Sequence, residues 1–281
     1  MTQSSDPTSI PATNETYTLG YSTGVTQVLQ ERTLATCASF FLPHLRPGMT
    51  VLDCGCGPGS LTIEIAARVA PGQVVGIDID PGQCVQAQAR AAAHGITNVR
   101  FEPADVYALP YPDATFDAVF SHALVTHLGE PMRAFAESRR VLKPGGVMAV
   151  SANDYDAFVV SPAGSVMERT LSLYARVMTY NGGNRLLARH LRGALLEAGF
   201  ARAEGHGGTD PFGTPERVRG FAAGWAEITR GSSFVETVVS QGWADRAEMA
   251  ALPDDLLLWG ERPDAYMSMM KCGALGWVSA R

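Results

Sequence analysis

The chain has 281 residues, of which 46% are hydrophobic and 18% are charged, and its formal net charge is −6. This length and composition fit one elaborated globular domain and exclude an intrinsically disordered chain. A protein that grips many phosphates needs a cationic face, and the chain has no Lys/Arg cluster, so nucleic acid is not expected as a partner.

Membrane and metal partners are not expected either. No apolar run reaches the roughly 18 residues that a spanning helix needs, and the first residues lack the basic and apolar regions of a secretory signal. The expected location is therefore cytoplasmic. The five cysteines are an odd number without paired ligand spacing, and Cys54 and Cys56 are too isolated to build a zinc site.

The N-terminal residues differ in composition from the rest of the chain. Residues 1–14 are rich in Ser, Thr and Pro, which predicts disorder. The next segment, residues 15–45, begins with Tyr17–Ser22 and leads into a helix predicted over Val25–Phe41.

The most informative segment is Val51–Ser60, a hydrophobic strand that ends near Asp53 and continues into three alternate glycines. A strand, a Gly-rich turn and a helix together present backbone N–H groups at a helix N-terminus, where nucleotides bind. A second acid, Asp78, ends the next apolar run 25 residues after Asp53. A strand-terminal carboxylate about 20 residues after such a turn is where an adenosine ribose is held.

Two other interpretations of this turn stay open. A dinucleotide site requires G-x-G-x-x-G, and Ser60 takes the place of its last glycine. This disfavours an NAD(P) oxidoreductase. The turn is also compatible with a tight strand–helix connection that binds no ligand.

The pattern D-x-G-x-G-x-G at Asp53–Gly59 resembles motif I of the class I S-adenosylmethionine (SAM) dependent methyltransferases. Further markers follow in that family's order: Asp105 after a strand at Asn98–Pro103, a strand at Phe116–Phe120, and Arg140–Gly146, which is similar to a conserved "RVLKPGG" turn. The resemblance covers residues 46–152. It is greatest to small-molecule methyltransferases of the ubiquinone and menaquinone biosynthesis type.

This resemblance implies an α/β fold, namely a doubly wound Rossmann-like sheet of seven strands in the order 3-2-1-4-5-7-6, with a methyltransferase domain over residues 46–281. It also implies SAM as cofactor and S-adenosylhomocysteine (SAH) as product. The cofactor-binding residues that it suggests are Tyr17, Tyr21, Asp53, Gly55, Gly57, Gly59, Asp78, Ile79, Asp105, Val106 and Ser121. Of these, Asp105 is expected to accept from the adenine amino group, and the two tyrosines to fold over the cofactor.

Periodicity predicts the remaining core elements. The predicted elements are a helix marked by Leu61, Ile65 and Val69, a helix begun by Asp80–Pro81 and ended by Gly95, a helix marked by Met132, Phe135 and Leu142, a helix over Leu187–Leu195 ended by Gly199, a strand over Phe200–Gly207, and a last strand over Ala265–Ser279 broken by Gly273 and Gly276. Alternating strands and helices of this kind favour a doubly wound sheet.

Two insertions are predicted to cover the substrate. Residues 156–184 and 213–263 carry helical apolar stripes but do not belong to the minimal sheet. Such stripes are also typical of plain core packing. Inserted helices beyond the carboxyl ends of the strands nevertheless lie where open α/β sheets bind ligands, so we expect an apolar lid.

The predicted reaction is SAM-dependent methyl transfer to an O, N or C atom of a small, partly apolar metabolite. His122, after the fourth strand, is the candidate base for an oxygen or carbon acceptor. The main alternative is a protein of the same fold that uses the bound sulfonium for cyclisation or only for structure. Monomer and homodimer are both compatible with the sequence.

Overall fold

The computed structural model describes residues 32–280. Seven strands form one sheet in the order β3-β2-β1-β4-β5-β7-β6. Their bounds are β1 Thr50–Cys54, β2 Gln73–Asp78, β3 Val99–Pro103, β4 Phe116–His122, β5 Leu142–Ser161, β6 Arg202–Phe212 and β7 Tyr266–Trp277. Strands β1 to β5 pair in parallel, and β7 runs antiparallel between β5 and β6. The predicted strand order is confirmed.

Nine α-helices connect and cover the strands in the described part of the chain. Their bounds are α1 Leu34–Cys37, α2 Ser60–Val69, α3 Pro81–Ala93, α4 Pro131–Val141, α5 Val166–Tyr180, α6 Leu187–Glu197, α7 Pro215–Arg230, α8 Ser232–Ser240 and α9 Arg246–Gly260. Short 3₁₀ helices lie at Ser39–His44 and Val125–His127. No helix in residues 32–280 is long and apolar enough to cross a membrane.

Alternating strand residues bury both faces of the sheet, as period-two geometry requires. On one face Leu52 belongs to a cluster that includes Phe135 of α4. On the other face Val51 belongs to a cluster with Ile65 of α2. The helices α5, α7, α8 and α9 share a third cluster, centred on Trp225, with the outer parts of β5 and β7.

Helix starts follow the local sequence signals. Asp80 caps α3, since its Oδ1 accepts from the Gly82 N–H at 2.7 Å, and Pro81 is the first helical residue. Gly95 follows this helix with φ +68°, and Gly199 follows α6 with φ +88°. These turns lie where the sequence predicts them.

Several predicted boundaries are wrong. Strand β4 continues two residues past Phe120 to His122, and β6 continues to Phe212 rather than ending at Gly207. Leu142 begins β5 instead of lying in α4. In the described part of the predicted helix over Val25–Phe41, α1 ends at Cys37 and a 3₁₀ helix follows.

The last strand is continuous, contrary to the predicted break at two glycines. A Cβ built on Gly273 would lie 2.4 Å from Phe40 Cε1, and one on Gly276 would lie 3.0 Å from the Phe200 ring. The glycines therefore admit aromatic rings against the strand, and the ladder pairing with β5 and β6 maintains its extended geometry.

Candidate functional site

The Gly-rich turn joins β1 to α2 and is held by the end of β2. The Gly55 and Cys56 N–H groups both donate to the Ile77 carbonyl, at 2.8 and 2.9 Å. The Gly57 N–H donates to Asp78 Oδ2 at 2.9 Å. Gly57 has φ +50°, and a Cβ built on it would meet nothing within 4 Å. The turn thus requires a left-handed backbone, which L side chains disfavour.

The turn forms one wall of a cavity, called the first cavity below. It is lined by Arg32, Asp53, Gly55, Cys56, Gly57, Pro58, Ser60, Leu61, Ile77, Asp78, Ile79, Gln83, Ala104, Asp105, Val106, Tyr107, His122, Ala123, Leu124, His127 and Leu128. Apart from Arg32, which precedes β1, these residues lie at or after the carboxyl ends of β1, β2, β3 and β4, the edge at which doubly wound sheets bind ligands.

Seven of the suggested cofactor residues line this cavity, and two described residues, Gly59 and Ser121, do not. Gly59 is absent from the lining. A Cβ built on Gly59 would lie 2.8 Å from the Ala87 Cβ, so the lack of a side chain at this residue allows α2 to pack on α3. Ser121 is buried but does not line the cavity. Tyr17 and Tyr21 lie outside the described residues.

Three acidic side chains give the first cavity its electrostatic character. Asp53 is fully buried and accepts from the Thr62 hydroxyl at 2.6 Å, and burial raises its pKa to about 7. Burial also raises the pKa of Asp78, while N–H donors from Asp80 and Gly57 oppose the rise. Asp105 Oδ1 accepts from the Tyr107 N–H at 2.8 Å, which fixes the carboxylate in its turn.

The cavity also contains polar residues that the sequence did not single out. Gln83, in the first turn of α3, is 2% exposed, and its Oε1 has no hydrogen-bond partner within residues 32–280. Buried polar atoms are normally paired, so an acceptor of this kind fits a ligand that brings a donor. The only sequence signal was its place just after the Asp80–Pro81 helix start.

His122 also lines the first cavity. It is the last residue of β4, 8% exposed, and its Nδ1 is 2.8 Å from Ser151 Oγ on the paired strand β5. Burial lowers the pKa of His122 well below its usual range, and the cations of Arg32 and Lys271 lower it further. The imidazole is therefore neutral at pH 7.

A second cavity adjoins the first and is walled largely by the two insertions and the outer strands. It is lined by Arg32, Thr36, Cys37, His122, Asn153, Tyr155, Tyr174, Asp210, Phe212, Glu216, Arg217, Gly220, Phe221, Gly224, Trp225, Ile228, Met269 and Lys271. Among the described residues, Arg32 and His122 line both cavities. The boundary between the two spaces lies at these side chains.

Two further histidines, His127 and His206, pack against aromatic rings. His127 lines the first cavity, and burial lowers its pKa to about 4. Its ring meets Tyr155 edge-on, with centroids 6.5 Å apart. His206 stacks on Phe40 with centroids 4.8 Å apart, in the middle of β6 rather than near its end.

Comparison with known proteins relates the whole architecture to methyltransferases. Residues 51–146 match a family model described as a methyltransferase domain. The chain is 30% identical to the probable methyltransferase ltbC of Aspergillus luteorubrus, over 93% of this chain and 96% of that protein. It is 32% identical to an uncharacterized methyltransferase of Schizosaccharomyces pombe, over 67% of this chain and 71% of that protein.

Among solved structures, the chain is similar in fold to the [4+2]-cyclase SpnF. The TM-score is 0.50 and the identity 24%, covering 92% of this chain and 80% of that one. This likeness concerns the fold alone.

Proposed function

Because the chain belongs to the class I SAM-dependent methyltransferases, we propose that it transfers a methyl group from SAM to a small, partly apolar metabolite in the second cavity. The observation that carries the proposal is the junction of two cavities at His122 and Arg32. One cavity has the strand-end carboxylates that suit a nucleoside, and the other has aromatic walls.

In this proposal the first cavity holds the cofactor. Asp78 accepts from the ribose hydroxyls with Ile79 beside it, and Asp105 and Val106 face the adenine. The unpartnered Oε1 of Gln83 supports the fit, since an adenosyl group carries hydroxyl and amino donors. Gly55, Gly57 and Asp53 form the wall at the β1 turn. When bound, SAM supplies an electrophilic methyl group on a cationic sulfur and leaves SAH.

We assign three tasks to the chain's own residues. The aromatic wall of the second cavity holds the acceptor in line, and such positioning is worth about 7–11 kcal/mol of barrier. The helices of residues 156–184 and 213–263 act as a lid that excludes water. The neutral imidazole of His122 takes a proton from the acceptor.

The N-terminal arm with Tyr17 and Tyr21 is proposed to complete the cover over the cofactor.

The test uses SAM labelled in its methyl group, incubated with the protein and a panel of hydroxylated, aminated and carbon-nucleophile aromatic acceptors. Label in the acceptor supports methyl transfer. An acceptor that is cyclised while all label stays on SAM would show the alternative use of the sulfonium. Absence of SAM binding by calorimetry would exclude both uses.

A further inference from the structure

The second cavity has a rigid apolar wall made of aromatic rings that pack on one another. Tyr174 meets Trp225 edge-on with centroids 5.0 Å apart, and Phe212 meets Phe221 with centroids 4.3 Å apart. Tyr155 joins this group against Tyr174 at 5.3 Å. Rings arranged in this way offer faces and edges to a flat apolar body.

One buried acceptor in this cavity lacks a partner. Asn153 is 9% exposed, and its Oδ1 makes no hydrogen bond within residues 32–280. The side chain lines the second cavity, so its carbonyl oxygen is a buried acceptor for a donor that residues 32–280 do not supply.

A second acceptor lies close by on the same face of the sheet. His122 pairs in register with Ser151, which lies two residues before Asn153 on β5. Residues two apart on a strand share a face, so His122 and Asn153 are diagonal neighbours. If Nδ1–H of His122 donates to Ser151 Oγ, the other ring nitrogen carries a lone pair.

The charged groups around these acceptors favour an anion over a cation. Among the described residues, three cations line the cavity, Arg32, Arg217 and Lys271, against two carboxylates, Asp210 and Glu216. Asp210 already binds both Arg217, at 2.7 Å, and Lys271, at 2.8 Å. A protonated amine would meet this net positive charge, whereas a hydroxyl that loses its proton would be stabilised by it.

We propose that the second cavity binds a planar aromatic ring with two hydrogen-bond donors: an acidic hydroxyl at His122, which is the methyl acceptor, and a second hydroxyl at Asn153, which orients the ring. This proposal rests on the proposed function. Methylation at the first hydroxyl forms an O–C bond, returns the bonding electron pair to sulfur and releases one proton, which His122 takes and passes to solvent. The hydroxyl oxygen at His122 is the methyl acceptor, and the one at Asn153 is not, because His122 lines both cavities whereas Asn153 lines the second cavity.

The test compares three naphthalene probes by calorimetry on the full chain saturated with SAH. They are 2,3-dihydroxynaphthalene, 2-naphthol and 2-naphthylmethylamine, which is cationic at pH 7. We expect the diol to bind at least tenfold more tightly than 2-naphthol. We expect the amine to bind at least tenfold more weakly than 2-naphthol. With SAM in place of SAH, we expect the diol to give an aryl methyl ether.

Two variants locate the effect. Asn153→Leu keeps the side-chain shape but removes the acceptor, so the diol should lose its advantage while 2-naphthol binds as before. His122→Gln should lower kcat for the diol with little change in its dissociation constant, and should abolish any pH dependence of kcat that the imidazole causes. An unchanged melting temperature shows that each variant is folded, and Asn153→Leu, which lies outside the first cavity, should also keep its SAH affinity. The three-probe comparison on the unaltered protein does not depend on the variants.

Several outcomes would overturn the proposal: tightest binding of the amine, an unchanged diol preference in Asn153→Leu, methylation at ring carbon, or no binding of any probe while SAH binds. In each case the cofactor assignment stands. Failure of SAM and SAH to bind would instead reject the proposed function itself.

Discussion

Replacing Asp78 with alanine tests the assignment of the first cavity most directly, because this carboxylate is already hydrogen-bonded to the turn it faces. Its Oδ2 accepts from the Gly57 N–H at 2.9 Å and its Oδ1 from the Asp80 N–H at 3.1 Å. In the proposed complex the same oxygens also accept from the ribose hydroxyls. The substitution therefore removes two internal acceptors as well as the ligand contact.

The expected loss of SAM affinity follows from the number of hydrogen-bonding groups that lose a partner. A buried donor left unsatisfied costs about 1–3 kcal/mol, and Asp78 is only partly buried, so water can reach the site and the lower end of that range applies. Since about 1.4 kcal/mol is a factor of ten in affinity, losing one ribose bond at about 1 kcal/mol weakens binding about fivefold, and losing the bonds to both ribose hydroxyls, about 2 kcal/mol together, weakens it more than tenfold. We expect Asp78→Ala to bind SAM at least about tenfold more weakly and to melt at a lower temperature, with the fold retained.

The assay is calorimetric titration with SAM beside thermal unfolding, and the matched control is Asp80→Ala. Asp80 caps α3 through the Gly82 N–H but does not line the first cavity. Loss of an N-cap costs about 0.5–2 kcal/mol of stability, so the control should destabilise the protein without changing its affinity. Wild-type affinity in Asp78→Ala, or an equal affinity loss in both variants, would refute the reasoning.

Three further predictions concern the same wall and its cover. Gly57→Val should abolish SAM binding, because a side chain there requires a strained φ and enters the cavity. Cys56→Ser should bind SAM as the wild type does. Loss of activity in Cys56→Ser together with a bound metal would contradict this expectation. Burial raises the pKa of Asp53 to about 7, so the stability that its protonated form contributes is fully present below about pH 4 and is lost as pH rises through 7. The melting temperature of Asp53→Asn relative to that of the wild type should therefore increase between pH 5 and pH 8. A difference in melting temperature that does not change with pH would contradict the burial argument. Deleting residues 1–14 should leave methyl transfer unchanged, while deletion of residues 1–22 should abolish turnover but preserve SAM binding and folding; full turnover by the longer truncation would remove the tyrosines from the site.

The lining of the first cavity was largely predictable because its parts are local in sequence. A strand, a turn with left-handed glycines and a helix are encoded within ten consecutive residues, Val51–Ser60. Asp78 is the last residue of β2 and ends an apolar run, which makes it visible without knowledge of the packing. Asp105, two residues after β3, was predicted from the order of the motifs in the family that the chain resembles. Parallel pairing then brings these strand ends to one edge of the sheet.

The predicted boundaries failed where distant residues decide the structure. The extra length of β4 depends on its pairing with β5, in which His122 meets Ser151. The unbroken β7 depends on the rings of Phe40 and Phe200, which occupy the space that side chains at Gly273 and Gly276 would take. No local pattern reports such contacts, since they join residues far apart in the chain.

The acceptor half could not be predicted for a related reason, and this has a consequence for specificity. Its wall combines side chains from α1, β4, β5, α5, β6, α7 and β7, and among the described residues it shares only Arg32 and His122 with the first cavity. The turn, Asp78 and Asp105 lie outside this wall, so substitutions in the wall can change the acceptor without altering the cofactor contacts. Proteins of one fold can then retain the cofactor site while differing in the chemistry of the second cavity. Acceptor preference in this chain should accordingly follow Asn153 and the aromatic wall rather than the Gly-rich turn.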